Sequence, residues 1–475
     1  MPTPMQPKTQ IEWIDLSNAP GGTSETRHRV RSHVVKKTAD ARRKNPAWGK
    51  RNQRQLPHYV TELRFDQDIN SDTVESESSV INATRIAQPM PLTGVELLAA
   101  ETGVHVVDLS ALTDIQCVYT ACATLASKSI LLSDLVGRRR QSYLHFVASR
   151  YGSSLCLDEA LRCVATRAKR FLGPCPQLLD EIESRQYMKA LKALQEAVDD
   201  EEERKQPEVL ASINLLSLFE LLGCTPSQTW FLHIGGASRL IRTRGPASFV
   251  SDFDIRLVLS MLMAITHESL RAGEPCFMEE KSWQDMLYSF ATDSDPISSR
   301  GKLSIILFSL VVRLPRLLMD VTVACNQTPG IAPPDLPDLR LRLTAFRREL
   351  LNWRVEYNMA TLSLPVSTDG EDIRAELLGS FYGLSISCTR MLCAISIDSL
   401  NVLEDEAIVH AKEMVKLECD FENAHQPAVS FYLGQKLLVA KATLATTNCW
   451  RAESTRSTDV IPYSKYRCWL SWMRL

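Results

Sequence analysis

Eleven cationic side chains fall between residues 27 and 54: Arg27, Arg29, Arg31, Lys36, Lys37, Arg42, Arg43, Lys44, Lys50, Arg51 and Arg54. Asp40 is the one acid among them, so the stretch carries an excess of ten positive charges while the whole chain carries −2. Clustered Lys and Arg neutralise phosphates and release their condensed counterions, which is the chemistry of binding a polynucleotide backbone. The same run reads as a nuclear import signal, and a solvated basic arm with no specific partner is the third reading. Charge of this kind supplies no base specificity, which has to come from groove contacts.

Other chemistry is not spelled out. The chain has no G-x-x-x-x-G-K-[ST] phosphate loop, no G-x-G-x-x-G after a strand and no G-x-S-x-G elbow. Thr266-His267-Glu268 stops short of a zinc-binding H-E-x-x-H. The nine histidines are dispersed, and a histidine on an amphipathic helix is more often a packing residue than a base. Of the thirteen cysteines, the closest pairs are Cys117/Cys122, Cys156/Cys163 and Cys388/Cys393. None is C-x2-C, so a zinc ribbon or finger is not supported, and residues 1–116 contain no cysteine at all. The thiols read as reduced, intracellular and buried as small hydrophobes. The chain is thus expected to catalyse no reaction and to hold no metal or cofactor.

The elements that must carry these residues are helical. Ser24 is a suitable N-cap and Asn45-Pro46 a stop, with Val30, Val34 and Ala41 on one stripe between them and cations over most of the remaining surface. No leucine heptads follow, so this is not a basic zipper. Ile11 to Leu16 alternates and could extend as a strand. From residue 111 onward, segments with a 3.6-residue apolar period are separated by Gly, Pro, Asp or Asn clusters. They predict helices over 113–127, 130–150, 157–171, 178–198, 208–223, 227–243, 252–269, 302–325, 336–356, 371–397, 404–421 and 428–447. Hydrophobic residues make up 45% of the chain, ample for a large core. The expected organisation is all-α: a basic, partly disordered N-terminal arm (1–60), a weakly structured linker (61–110), a multi-helix regulatory domain (111–450) and a divergent tail (451–475). No apolar segment suits a signal peptide, and Leu303 to Cys325, the most apolar stretch, is interrupted by Arg313, Pro315, Arg316 and Asp320. No membrane partner is expected.

Two stretches carry a resemblance. One is Arg31-Ser32-His33-Val34 with the basic run to Lys44, preceded by Ile14-Asp15-Leu16-Ser17. The other runs from Ser217-Leu218-Phe219-Glu220-Leu221-Leu222 through Trp230-Phe231-Leu232-His233-Ile234-Gly235-Gly236-Ala237-Ser238-Arg239-Leu240-Ile241 to Arg244-Gly245-Pro246, then Gly273-Glu274-Pro275-Cys276-Phe277 and Trp283. Together they resemble the fungal-specific transcription factor domain that usually follows a Zn2Cys6 DNA-binding cluster. The closer likeness is to a subgroup with an R-S-H-V basic segment in place of that cluster. The resemblance implies a nuclear regulator of RNA polymerase II genes, often a pathway regulator of a secondary-metabolite cluster. Its partners would be promoter DNA, reached directly or through another DNA-binding protein, and the transcription machinery. A helical co-regulator that never touches DNA is the alternative, because the zinc cluster is missing. Within the motif, Trp230, His233, Gly235 and Gly236 are expected to lock helix packing or to bind an effector. Arg239 and Arg244 would cap carbonyls or meet an anionic effector, and Gly245-Pro246 ends the run.

Overall fold

The computed structural model describes residues 94–112, 142–172, 180–223, 229–326, 335–363, 368–396, 400–423, 427–451 and 460–472. The basic arm, the Ile11–Leu16 stretch, residues 61–93 of the expected linker, the helix expected at 113–127 and residues 130–141 of the helix expected at 130–150 lie outside them.

No strand occurs among the described residues. In chain order the helices are α1 (Gly94–Thr102), α2 (Leu144–Ser149), α3 (Leu155–Leu172), α4 (Asp180–Asp199), α5 (Pro207–Leu222), α6 (Thr229–Arg244), α7 (Asp252–Ala272), α8 (Lys281–Ser289), α9 (Lys302–Val311), α10 (Leu314–Asn326), α11 (Leu336–Ser363), α12 (Thr368–Ile395), α13 (Leu400–Asn423), α14 (Pro427–Arg451) and α15 (Tyr463–Trp472).

Two helices are apolar around their whole circumference, and each becomes the centre of a bundle. Pro207 occupies the first turn of α5, where its missing N–H costs nothing. Nearly every later residue of α5 is buried, against α3, α4, α6 and α7. α12 does the same for the second half, packing on α10, α11, α13 and α14. Its stretch Ile373–Ile395 is long and apolar enough to cross a bilayer, but 94% of that window is buried inside the protein, as in a core helix. The buried residues of both bundles form one continuous core, bridged where α7 meets α9 and α10.

Three differences from the expected elements have physical causes. The stretch 302–325 is two helices, parted at Val312-Arg313. Pro315 sits in the first turn of α10, where its ring is harmless, whereas inside one continuous helix it would break a hydrogen bond. The helical body also reaches back to Gly94, because Leu98, Val104, Val106 and Leu109 are buried in the core. Finally, residues 463–472 of the expected divergent tail form α15, whose Tyr466 and Trp469 are fully buried. Ile461 N–H also donates to the Ala394 carbonyl at the end of α12 (2.9 Å).

What α15 covers is a buried charge. Arg390 of α12 and Glu404 of α13 are both 0% exposed. The Arg390 guanidinium donates from Nη2 to Glu404 Oε1 (2.6 Å) and to the Thr443 carbonyl (2.8 Å), and from Nη1 to the Thr446 hydroxyl (3.1 Å). It lies 4.2 Å from the centroid of the Trp450 ring and 5.9 Å from that of Trp469. The Trp469 indole in turn donates to the Thr443 hydroxyl (3.2 Å). Burial pushes the Glu404 carboxyl up and the Arg390 guanidinium down, and the ion pair opposes both shifts. Removing one partner strands the other without water. Arg390→Ala is therefore expected to lower unfolding stability by roughly 3–5 kcal/mol, and the double change Arg390→Met/Glu404→Leu by much less. Chemical denaturation of the two proteins checks this, and equal losses would contradict it.

Candidate functional site

The sequence motif at 230–246 occupies α6 and the turn that follows it. Trp230 and Phe231 are buried and stack on each other (3.6 Å between centroids), and the His267 ring of α7 lies 5.5 Å from that of Phe231. His233 points the other way. It is buried, and its Nε2 is hydrogen-bonded to the Tyr187 hydroxyl of α4 (3.2 Å). Tyr187 stacks on Phe219 of α5 (4.8 Å). The histidine thus ties α6 to α4 and α5, and burial pushes its pKa down to about 4, so it stays neutral. Gly235 has ordinary room: a Cβ there would meet only Glu268 Oε1, at 3.7 Å. The tightest glycines are elsewhere: a Cβ at Gly379 would fall 2.7 Å from Leu433 Cδ2, and one at Gly301 would run into the Asp295 carbonyl oxygen.

Arg239 is exposed on α6. Arg244 is inside: its Nη2 donates to Asp254 Oδ1 (2.7 Å), with both side chains largely buried, and its guanidinium lies 4.5 Å from the Phe249 ring centroid. Asp254 is fixed from its own side. Ser251, the N-cap of α7, accepts from Asp254 N–H (3.1 Å) and donates to Asp254 Oδ2 (2.6 Å). Gly245 has φ 76° and ψ 157°, a region open essentially to glycine alone, and Pro246 opens a short 3-10 turn. Arg244-Gly245-Pro246 is therefore a corner that sets how α7 leaves α6. The arginine pairs with a buried carboxylate through Nη2, while its Nε and Nη1 are buried without a hydrogen-bond partner among the described residues.

That corner positions one wall of a cleft. Where the two bundles meet, α7, α9, α10, α12 and α14 line a cleft of about 110 Å³ that is partly open to solvent. The lining residues are aliphatic except for Gly383, Thr266, Ser380, Ser387, His267 and Lys436. Burial, with Arg271 adding to it, pushes His267 down to about 4. Neither His267 nor Lys436 was singled out from the sequence as a binding residue. A single lysine in helical sequence carries no signal of its own, and His267 was noticed only as part of an incomplete zinc motif. Among the described residues no cluster of His, Cys, Asp and Glu could hold a metal ion. Six described cysteines are buried, and burial raises the thiol pKa of each.

The motif residues thus serve the packing of a helical body with a cleft between its bundles. Residues 143–372 match the fungal specific transcription factor domain. The chain is also similar to an uncharacterized protein of Emericella nidulans, 28% identical over 253 residues that cover 51% of this chain and 52% of the relative. The match therefore spans about half the length of that relative. No solved structure matches the chain.

Two outcomes follow from this geometry. Gly245→Ala, with nothing within 4 Å of the added Cβ, should cost ~1–3 kcal/mol of stability from backbone strain alone, measurable as a shift in urea midpoint. His233 is held near 4 when folded against 6.5 when free, so the unfolded chain binds the extra proton between those values. Its contribution is complete above pH 6.5 and is lost as pH falls toward 4, with a slope of up to ~1.4 kcal/mol per pH unit. Stability measured from pH 7.5 to 5 should fall less steeply in His233→Gln than in the unaltered protein.

Proposed function

We propose that this protein is a nuclear transcriptional regulator, recruited to promoters of RNA polymerase II genes through its basic segment and controlled through its helical body. The observation that carries the reading is the family match over residues 143–372 in the same chain as eleven cations and one acid within residues 27–54. A regulator that contacts DNA itself needs a segment that can neutralise phosphates. Residues 1–116 have no cysteine with which to build a zinc cluster, and Arg27 to Arg54 carry the charge such a segment requires. The helical body matches a family of regulators, which supports a non-enzymatic role. Control of a secondary-metabolite gene cluster is the pathway role proposed, following the family's tendency.

The missing cluster also supports a second reading, a co-regulator brought to chromatin by another DNA-binding protein. Chromatin occupancy of the tagged protein, intact and with Arg27, Arg29, Arg31, Lys36, Lys37, Arg42, Arg43 and Lys44 neutralised, separates the two. Discrete promoter peaks that vanish in a neutralised protein still present in the nucleus are the expected result. Surviving peaks would move the reading to the co-regulator, and loss of nuclear staining would assign the segment to import. In vitro, duplex affinity should fall steeply with salt, and each neutralised phosphate contact should flatten the log–log slope by ~0.9.

A further inference from the structure

We propose that the cleft between the two bundles binds a small, largely apolar molecule carrying a single carboxylate, held by Lys436 at the head and by aliphatic walls along its body. It offers about 110 Å³ and is partly open to solvent, so it seats the head and near part of a ligand rather than enclosing a drug-sized one, whose sites typically hold about 300–1,000 Å³. Met263 and Leu270 of α7, Leu314 and Leu318 of α10, Leu384 of α12 and Val439 of α14 form its walls. A polar ligand would find little there.

The polar groups of the lining narrow the chemistry. The Thr266, Ser380 and Ser387 hydroxyls each donate to a carbonyl one turn back in their own helix, at 2.9, 2.9 and 2.8 Å. Their protons are spent, so they offer lone pairs rather than donors. Lys436 is the one lining residue with a full charge, since His267 is held neutral by burial. It is half-buried and makes no ion pair or hydrogen bond among the described residues. Its position is built in. Gly379 and Gly383 lie one turn apart on α12 and leave a groove for its stem. A Cβ at Gly383 would lie 3.6 Å from Lys436 Cβ, and one at Gly379 would lie 3.7 Å from its Cδ.

A half-buried cation facing an apolar cleft is incompletely solvated, and an entering anion offsets that cost. A neutral hydrocarbon would fill the walls and leave the ammonium unpaired. A nucleotide or sugar phosphate would bring several charges and hydroxyls to a site with one cation and no free hydroxyl donor. The ligand would touch helices of both bundles, so its binding would favour one relative placement of them. Only this last, regulatory consequence rests on reading the chain as a transcriptional regulator.

The test uses the purified full chain and dodecanoate, with dodecanol as the neutral probe of equal length, in titration calorimetry. Dodecanoate is expected to bind at one site, and Lys436→Met, which keeps the stem but removes the charge, should weaken it by roughly tenfold to a hundredfold. In that variant dodecanoate and dodecanol should bind alike. Val439→Trp, which fills the cleft from α14, should abolish binding of both. Far-UV circular dichroism and the melting temperature without ligand confirm that each variant is folded. The proposal is overturned if dodecanoate does not saturate the unaltered protein, if Lys436→Met binds it unchanged, or if Val439→Trp still binds it. Because the readout is binding by the isolated chain, loss of promoter occupancy elsewhere would not alter it, and its own failure would leave the regulatory assignment standing.

Discussion

Arg390 sits in a helix otherwise apolar enough for a membrane, with none of its surface in contact with water. A guanidinium there is tolerable only if its protons and charge are answered, and the answers come from three other helices. Glu404 of α13 supplies the charge, Thr443 and Thr446 of α14 supply acceptors, and the Trp450 and Trp469 rings cover the faces. Aliphatic contacts alone would let α12 settle against α13 and α14 in several registers at similar cost, whereas a buried cation accepts one. The placement of everything after residue 368 depends on that single register.

The first bundle is fixed differently. Its central helix, α5, carries no such charge, and its order comes from caps and a corner. Ser251 starts α7, and Gly273 ends it in the left-handed conformation (φ 67°), with Glu274 N–H returning to the Ser269 carbonyl. Arg244 pins the same helix to α6 through Asp254. α7 is long enough for its start to be set by this corner while Met263 to Leu270 reach the cleft. The angle fixed at Arg244-Gly245-Pro246 is thereby passed about three turns along a rigid rod to the junction with the second bundle.

Much of this was legible. The 3.6-residue period located α3 to α7 and α11 to α14 because each spans several turns and shows an apolar face to a core. α8 escaped because nine residues, with Trp283, Met286 and Leu287 as the buried set, are too short to display a period. α15 escaped because the burial of Tyr466 and Trp469 is explained by Arg390, more than seventy residues earlier, and no local pattern reports that. The break between α9 and α10 was legible in principle, since Pro315 is a helix-start signal, but the apolar run around it outweighed that signal. At the site, the motif residues Trp230, His233 and Arg244 stood out through the family resemblance, and they make contacts with neighbouring helices. The cleft was not found, because its walls are ordinary core aliphatics drawn from five helices and its cation is one lysine among many.

The extent of the family match, set against the packing, adds one more step. The matched residues end at 372, at the start of α12 and ahead of its buried length. Trp353, inside the match, stacks on Phe381 outside it (5.5 Å), and α11 as a whole packs on α12. Residues 143–372 therefore do not close their own core, since α11 packs on α12 residues beyond the match. The cleft straddles the same boundary: α7, α9 and α10 contribute matched residues, while Ser380, Gly383, Ser387 and Lys436 come from beyond it. The matched part thus supplies Thr266, His267 and most of the apolar wall, and Lys436 comes from α14 beyond it.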